Sequence, residues 1–215
     1  MTMEAKIRLG YFLEDVGQEA FLISLVSRIA GESGIVPAVL VHDPRSVVGG
    51  LGKAISELRR FLLDVRRGHV SPYDILIVAI DGNCQGYAAK RDEIRRVAEQ
   101  AGYRGAIVCA VPDPHIERWY LVDVDSLRRV LETDVQPDVP ANKCERGRYK
   151  AALRAVFRQA RLIAPLGGAE YGSEIAASLN LYAVGKHDPG FKHFVDDLTA
   201  ALSALARMGQ QVPIP

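Results

Sequence analysis

Asp81, Gly82 and Asn83 follow directly on an apolar run that fills residues 75–80, with Asp74 at its other end. A continuous apolar run rich in β-branched residues and bounded by polar ends predicts a strand buried on both faces, the habit of a central strand in a parallel sheet. Asp81 then sits at the carboxyl end of that strand. A carboxylate there, a glycine that lets the backbone approach closely and a second oxygen-bearing side chain two residues on suit a hard cation held beside a substrate phosphate. Two more carboxylates are expected at the same edge. Glu14 directly follows the first strand, and Glu117 falls in the first turn of a helix just past the fourth.

The elements that must carry these groups alternate regularly. Residues 6–13 read as strand one, and Gly17-Gln18-Glu19 opens a helix with Phe21, Leu22, Leu25, Val26 and Ile29 at helical spacing. Residues 37–41 read as a short second strand that ends at His42-Asp43-Pro44. A helix with Ile55, Leu58, Leu62 and Val65 on one face precedes the central strand, residues 74–81. A further helix over 88–101 and a fourth strand over 105–111 follow. This alternation predicts an α/β fold: a four-stranded, mainly parallel sheet flanked by helices. After Pro112-Asp113-Pro114 a helix is expected with Ile116, Trp119 and Tyr120 inward, and then a short helix over 126–132. Trp119 reads as a core anchor rather than a base-stacking platform, and for His115 helix capping is expected ahead of proton transfer or phosphate contact.

Residues 133–142 read as a proline-bearing linker, and the last third as helical. Residues 1–123 therefore form the expected core with its functional edge, and residues 124–215 a helical extension packed on it. Arg146, Lys150, Arg154, Arg158 and Arg161 fall on one helical stripe, with Leu153, Val156, Phe157, Ala160 and Ile163 on another face. A solvated cationic face and a track for nucleic-acid phosphates are both open readings of that stripe. Residues 165–172 break the helix, Ser173 is expected to cap the next, and residues 191–208 form a terminal helix.

Bulk properties bound the rest. The 215 residues, 48% hydrophobic and 25% charged, suit one well-buried domain with an appendage. A net charge of +1 means that no overall field announces nucleic acid or membrane, so any such signal must be local. Cys84, Cys109 and Cys144 form no C-x-x-C pair, which fits a reducing compartment and argues against structural zinc. No membrane span is expected, and the default location is cytoplasmic. Gly49-Gly50-Leu51-Gly52-Lys53 lacks the spacing of a nucleotide-binding P-loop and reads as a flexible loop.

Glutamate after strand one, Asp-x-Asn after strand three and a four-stranded α/β core resemble the TOPRIM fold, shared by topoisomerases, primases and the nuclease half of certain phage-defence proteins. The likeness narrows with Glu14-Asp15, the Asp81 strand, Val-Pro-Asp-Pro-His-Ile-Glu-Arg-Trp-Tyr-Leu (111–121), Gly-Ser-Glu-Ile-Ala (172–176) and Pro-Gly-Phe-Lys-His-Phe (189–194). Over nearly the whole chain these resemble a family of TOPRIM-like bacterial proteins of unknown function (DUF4276).

The resemblance implies that Glu14, Asp81 and Glu117 bind magnesium, or manganese in its place, with Asn83 at the second position of the Asp-x-Asp pattern. Asn83 lacks an acid's charge there, and Glu19 stands one residue further from Glu14 than the family spacing. The implied activity is a magnesium-dependent nuclease or related phosphodiester-cleaving enzyme acting in phage defence. Two other functions stay open: a non-catalytic TOPRIM-like subunit that works with an ATPase partner, and an enzyme of nucleotides or small phosphoesters. The apolar terminal helix leaves a homodimer open as well.

Overall fold

The computed structural model describes residues 6–36, 39–47, 53–139, 144 and 147–210, with the backbone alone for 208–210. Four strands form one sheet: β1 (Ile7–Leu13), β2 (Leu40–Ser46), β3 (Ile75–Ala79) and β4 (Ala106–Ala110). Their order is β2-β1-β3-β4, and every pairing is parallel. Three helices alternate with them, α1 (Glu19–Glu32), α2 (Ala54–Arg66) and α3 (Tyr87–Ala101). The α/β class, the four-stranded sheet flanked by helices and a helical carboxyl-terminal region are thus as the sequence predicts, and the sheet expected to be mainly parallel is parallel throughout. That region comprises α4 (Glu117–Val122), α5 (Val124–Val130), α6 (Arg148–Gln159), α7 (Gly172–Ser178), α8 (Leu181–His187) and α9 (Pro189–Gln210).

Side-chain alternation along each strand divides the core in two. Leu9, Tyr11 and Leu13, with Ile75, Ile77 and Ala79 opposite, face the layer built by α1 and the carboxyl-terminal helices. Phe12, Leu76, Val78 and Ile80 face α2 and α3. Because both faces are covered, β3 is apolar at every position and buried throughout. Gly10 is required on the second face: a Cβ there would meet the Tyr73 ring at 2.6 Å.

Trp119 is the anchor the sequence suggests. It is fully buried, edge-on to Phe191 at 5.1 Å and beside Phe21 and Phe194, so that α1, α4 and α9 meet around one aromatic cluster.

Several boundaries differ from expectation for identifiable reasons. β2 runs on through His42, Asp43 and Pro44 rather than stopping before them; it lies at the sheet edge, where a proline is tolerated. His42 is held there by the Tyr11 hydroxyl at 2.7 Å. α6 ends at Gln159, and Arg161 has left-handed backbone (φ 57°), so it lies past the helix and off the stripe. Ser173 is not a cap: α7 begins at Gly172, with Tyr171 at the N-cap position and no side-chain bond there. α8 is an additional helix, capped by Asn180, whose side chain accepts the Ala183 N–H. Arg146 and residues 49–52 lie outside the described residues. Among the described residues no helix is long and apolar enough to cross a membrane.

One ion pair ties α4 to the junction of α8 and α9. Arg118 Nε donates to Asp188 Oδ2 at 2.7 Å, and its other nitrogens reach the Tyr149 hydroxyl and the His187 carbonyl. Asp188 is 4% exposed and also accepts the Phe191 N–H at the start of α9. Removing one partner leaves a buried carboxylate without its counter-charge. Arg118→Ala should therefore cost about 3 kcal/mol in urea unfolding, whereas a loss within about 0.5 kcal/mol would mean that the pair behaves as a solvated surface contact.

Candidate active site

The site forms where the sheet order reverses. β1 and β3 are neighbours, but the chain leaves them in opposite directions, and this opens a crevice beyond their carboxyl ends. Glu14 follows β1 directly, and Asp81 stands two residues past β3. The two are bonded: Glu14 Oε2 accepts the Asp81 backbone N–H at 2.8 Å, while the Glu14 N–H donates to the Ala79 carbonyl at 2.9 Å.

Both oxygens of the Asp81 carboxylate are engaged. Oδ1 accepts from the Gln18 side-chain amide at 2.9 Å, and Oδ2 lies 3.0 Å from His115 Nδ1. Gln18 is brought there by the short 3-10 turn Val16–Gln18, which Asp15 caps by accepting the Gly17 N–H. His115 arrives from the loop after β4. That loop is pinned to the β3 end by Gly82 N to Pro112 O at 2.7 Å, Asn83 N to Pro114 O at 3.1 Å and Cys84 N to Asp113 Oδ1 at 2.7 Å. Capping is not its role: α4 has Ile116 at its N-cap with no side-chain bond.

Glu117 opens α4, with 15% of its side chain exposed, and Lys150 Nζ from α6 stands 3.7 Å from its Oε1. Its Oε2 is buried and makes no hydrogen bond among the described residues, and the same holds for the Tyr120 hydroxyl. Both residues line a small cleft, about 110 Å³, together with Asp15, Lys150 and Arg154. Asn83 lies elsewhere. Its left-handed backbone (φ 47°) turns the chain, its amide donates to the Asp81 carbonyl at 3.2 Å, and it lines a second cleft with Glu14 and Lys90. Of the basic stripe, Lys150 and Arg154 reach the Glu117 cleft, while Arg158 is exposed further along α6.

Burial pushes the carboxyls of Glu14, Asp81 and Glu117 above their ordinary values. A raised carboxyl favours the folded state only while protonated, so its contribution is present below the unfolded value and lost as pH rises through the folded one.

A hard cation fits the oxygen donors and the unbonded Glu117 Oε2. Among the described residues, no three His, Cys, Asp or Glu side chains stand close enough to share an ion as an all-protein cage. Magnesium does not require one, since it commonly takes one or two carboxylates and keeps water and substrate oxygens for the rest.

Gln18 and His115 are the site residues that the sequence reading does not assign to the carboxylates. Gln18 carries no motif signal at all. His115 carries a faint one, standing two residues before Glu117 at the start of the same helix. Glu19 lines a separate groove beyond Asp15.

Two outcomes follow. The hydrogen bond that His115 donates to Asp81 raises the His115 pKa above its ordinary 6.5, so the stability that this pair contributes is complete below the unfolded histidine value and is lost as pH rises through the folded one. NMR titration should find His115 above 6.5, and Asp81→Asn should lower it, because burial alone acts downward; an unchanged titration would mean that the contact is absent in solution. Gly82→Ala should destabilise by about 1–3 kcal/mol in thermal unfolding, because its Cβ would fall 2.6 Å from Asp113 Cβ and Oδ1. No family model matches the chain, and neither a curated protein nor a solved structure matches it.

Proposed function

We propose that the protein is a magnesium-dependent phosphodiesterase acting on nucleic acid, a nuclease of the TOPRIM-like kind that its sequence resembles. The observation that carries this reading is the Glu14–Asp81 link across the β1/β3 crevice, beside an oriented histidine, with the half-buried Glu117 and the Lys150 ammonium lining a cleft of their own. The resemblance adds phage defence as the setting.

Of Glu14, Asp81 and Glu117, one or two would hold magnesium, with manganese as the substitute, and water and substrate oxygens would complete the coordination. When bound, the ion polarises the phosphodiester and eases ionisation of water. The chain's own residues do the rest. Asp81 accepts from His115 Nδ1, which leaves the lone pair of the neutral ring on Nε2, and that atom takes a proton from the attacking water. Lys150 and Arg154 meet the non-bridging phosphate oxygens through charge-assisted hydrogen bonds. Arg158, one turn further along α6, extends the same positive face along the backbone of a longer substrate.

The test is cleavage of plasmid DNA and of single-stranded DNA and RNA in magnesium or manganese, run on wild type, Glu117→Gln and Asp81→Asn. Wild type should cleave at least one substrate. Glu117→Gln, which keeps the side chain's shape, should lower the rate about 10²-fold or more with an unchanged unfolding temperature. A wild type inert on every substrate in both metals, or a fully active Glu117→Gln, would overturn the proposal.

A further inference from the structure

We propose that the groove between the amino-terminal half of α1 and the turn over residues 164–173 docks a partner protein through an apolar segment flanked by lysine or arginine. The groove is about 620 Å³ in volume, and its apolar lining comes from Val16, Ala20, Ile23, Leu166 and Ala169. Two of these are large side chains left in water: Val16 is 69% exposed and Leu166 is 73% exposed. Isolated exposed aliphatics are ordinary, but two that share one concave surface make a patch of the kind that marks an interaction site.

The groove is built rather than frayed. Glu170 accepts the Leu166 N–H through Oε1 and the Gly168 N–H through Oε2, which fixes the turn that presents Leu166. On the other wall Asp15 caps the 3-10 turn that presents Val16. The walls lie close together: a Cβ added to Gly17 would come within 3.4 Å of Ala169 Cβ. A preformed apolar surface of this kind costs its occupant little reorganisation of the receptor.

Charge decides which occupant fits. Asp15, Glu19 and Glu170 border the apolar lining, and among the described residues no lysine, arginine or histidine lines it. An acidic rim repels nucleic-acid phosphates and attracts cationic side chains, the reverse of the neighbouring cleft with Lys150 and Arg154. Aliphatic side chains with lysine or arginine on either side complement both features, as apolar anchors do in other peptide grooves. The groove and the Glu117 cleft share Asp15, Gly17, Leu166 and Ala169, so a docked segment abuts the cleft mouth.

The experiment is fluorescence anisotropy with three labelled probes: a helical peptide of leucine and lysine, its leucine and glutamate counterpart, and oligothymidylate. The readout needs neither metal nor cleavage. Wild type should bind the leucine–lysine peptide and not the leucine–glutamate one. Leu166→Asp and Glu19→Lys should each weaken that binding about tenfold or more, with circular dichroism unchanged because Leu166 is exposed and Glu19 half-buried. Absence of binding by wild type, or equal binding by wild type and both variants, would overturn the proposal. Oligothymidylate binding that Leu166→Asp weakens, with peptide binding unaffected, would assign the groove to nucleic acid and overturn it as well.

Discussion

The bond from the Asp81 N–H to Glu14 Oε2 closes the gap that the strand order opens. In the order β2-β1-β3-β4 the connections from β1 and β3 run to opposite sides, so nothing regular fills the space beyond their carboxyl ends. A carboxylate from one strand end satisfies the backbone of the other, and the two ends are held at a fixed separation. Three further groups hang from Asp81: Gln18 on one carboxylate oxygen, His115 on the other, and Asn83 on its carbonyl. A group that serves three partners and is itself half of the inter-strand link has little freedom to move.

That rigidity is achieved against an electrostatic cost. Three carboxyls sit where burial disfavours their charged forms, and Lys150 and His115 offset them only in part. Natural sequences depart from low-energy choices mainly where function requires it. The rest of the crevice conforms to ordinary packing rules, with β3 apolar on both faces and the aromatic cluster around Trp119 filling the layer behind α4.

How much of this is legible in the sequence depends on the range over which each feature is determined. The strands β1, β3 and β4, and the faces of α1, α2 and α9, follow from local periodicity, and Glu14 and Asp81 from their position at strand ends. The length of β2 does not, because the proline and charges over 43–45 read as a stop until the strand is known to lie at an edge. The role of His115 depends on a contact 34 residues away along the chain, and that of Gln18 on one 63 residues away; neither has a local signature. The basic stripe is periodic on paper through Arg161, yet the helix stops at Gln159, since no period in the charges encodes the backbone turn that ends it.

The edge strand that local reading cuts short has a bearing on how copies of the chain can meet. β2 carries Pro44 between Asp43 and Arg45, and a strand so equipped offers a poor template for another chain's backbone, being short of a donor and charged where a neighbour would lie. Growth of the sheet from one molecule into the next is thereby obstructed on that side. On that side, assembly is left to side-chain surfaces, where partners are selected by shape and charge rather than by the indiscriminate pairing of open backbone.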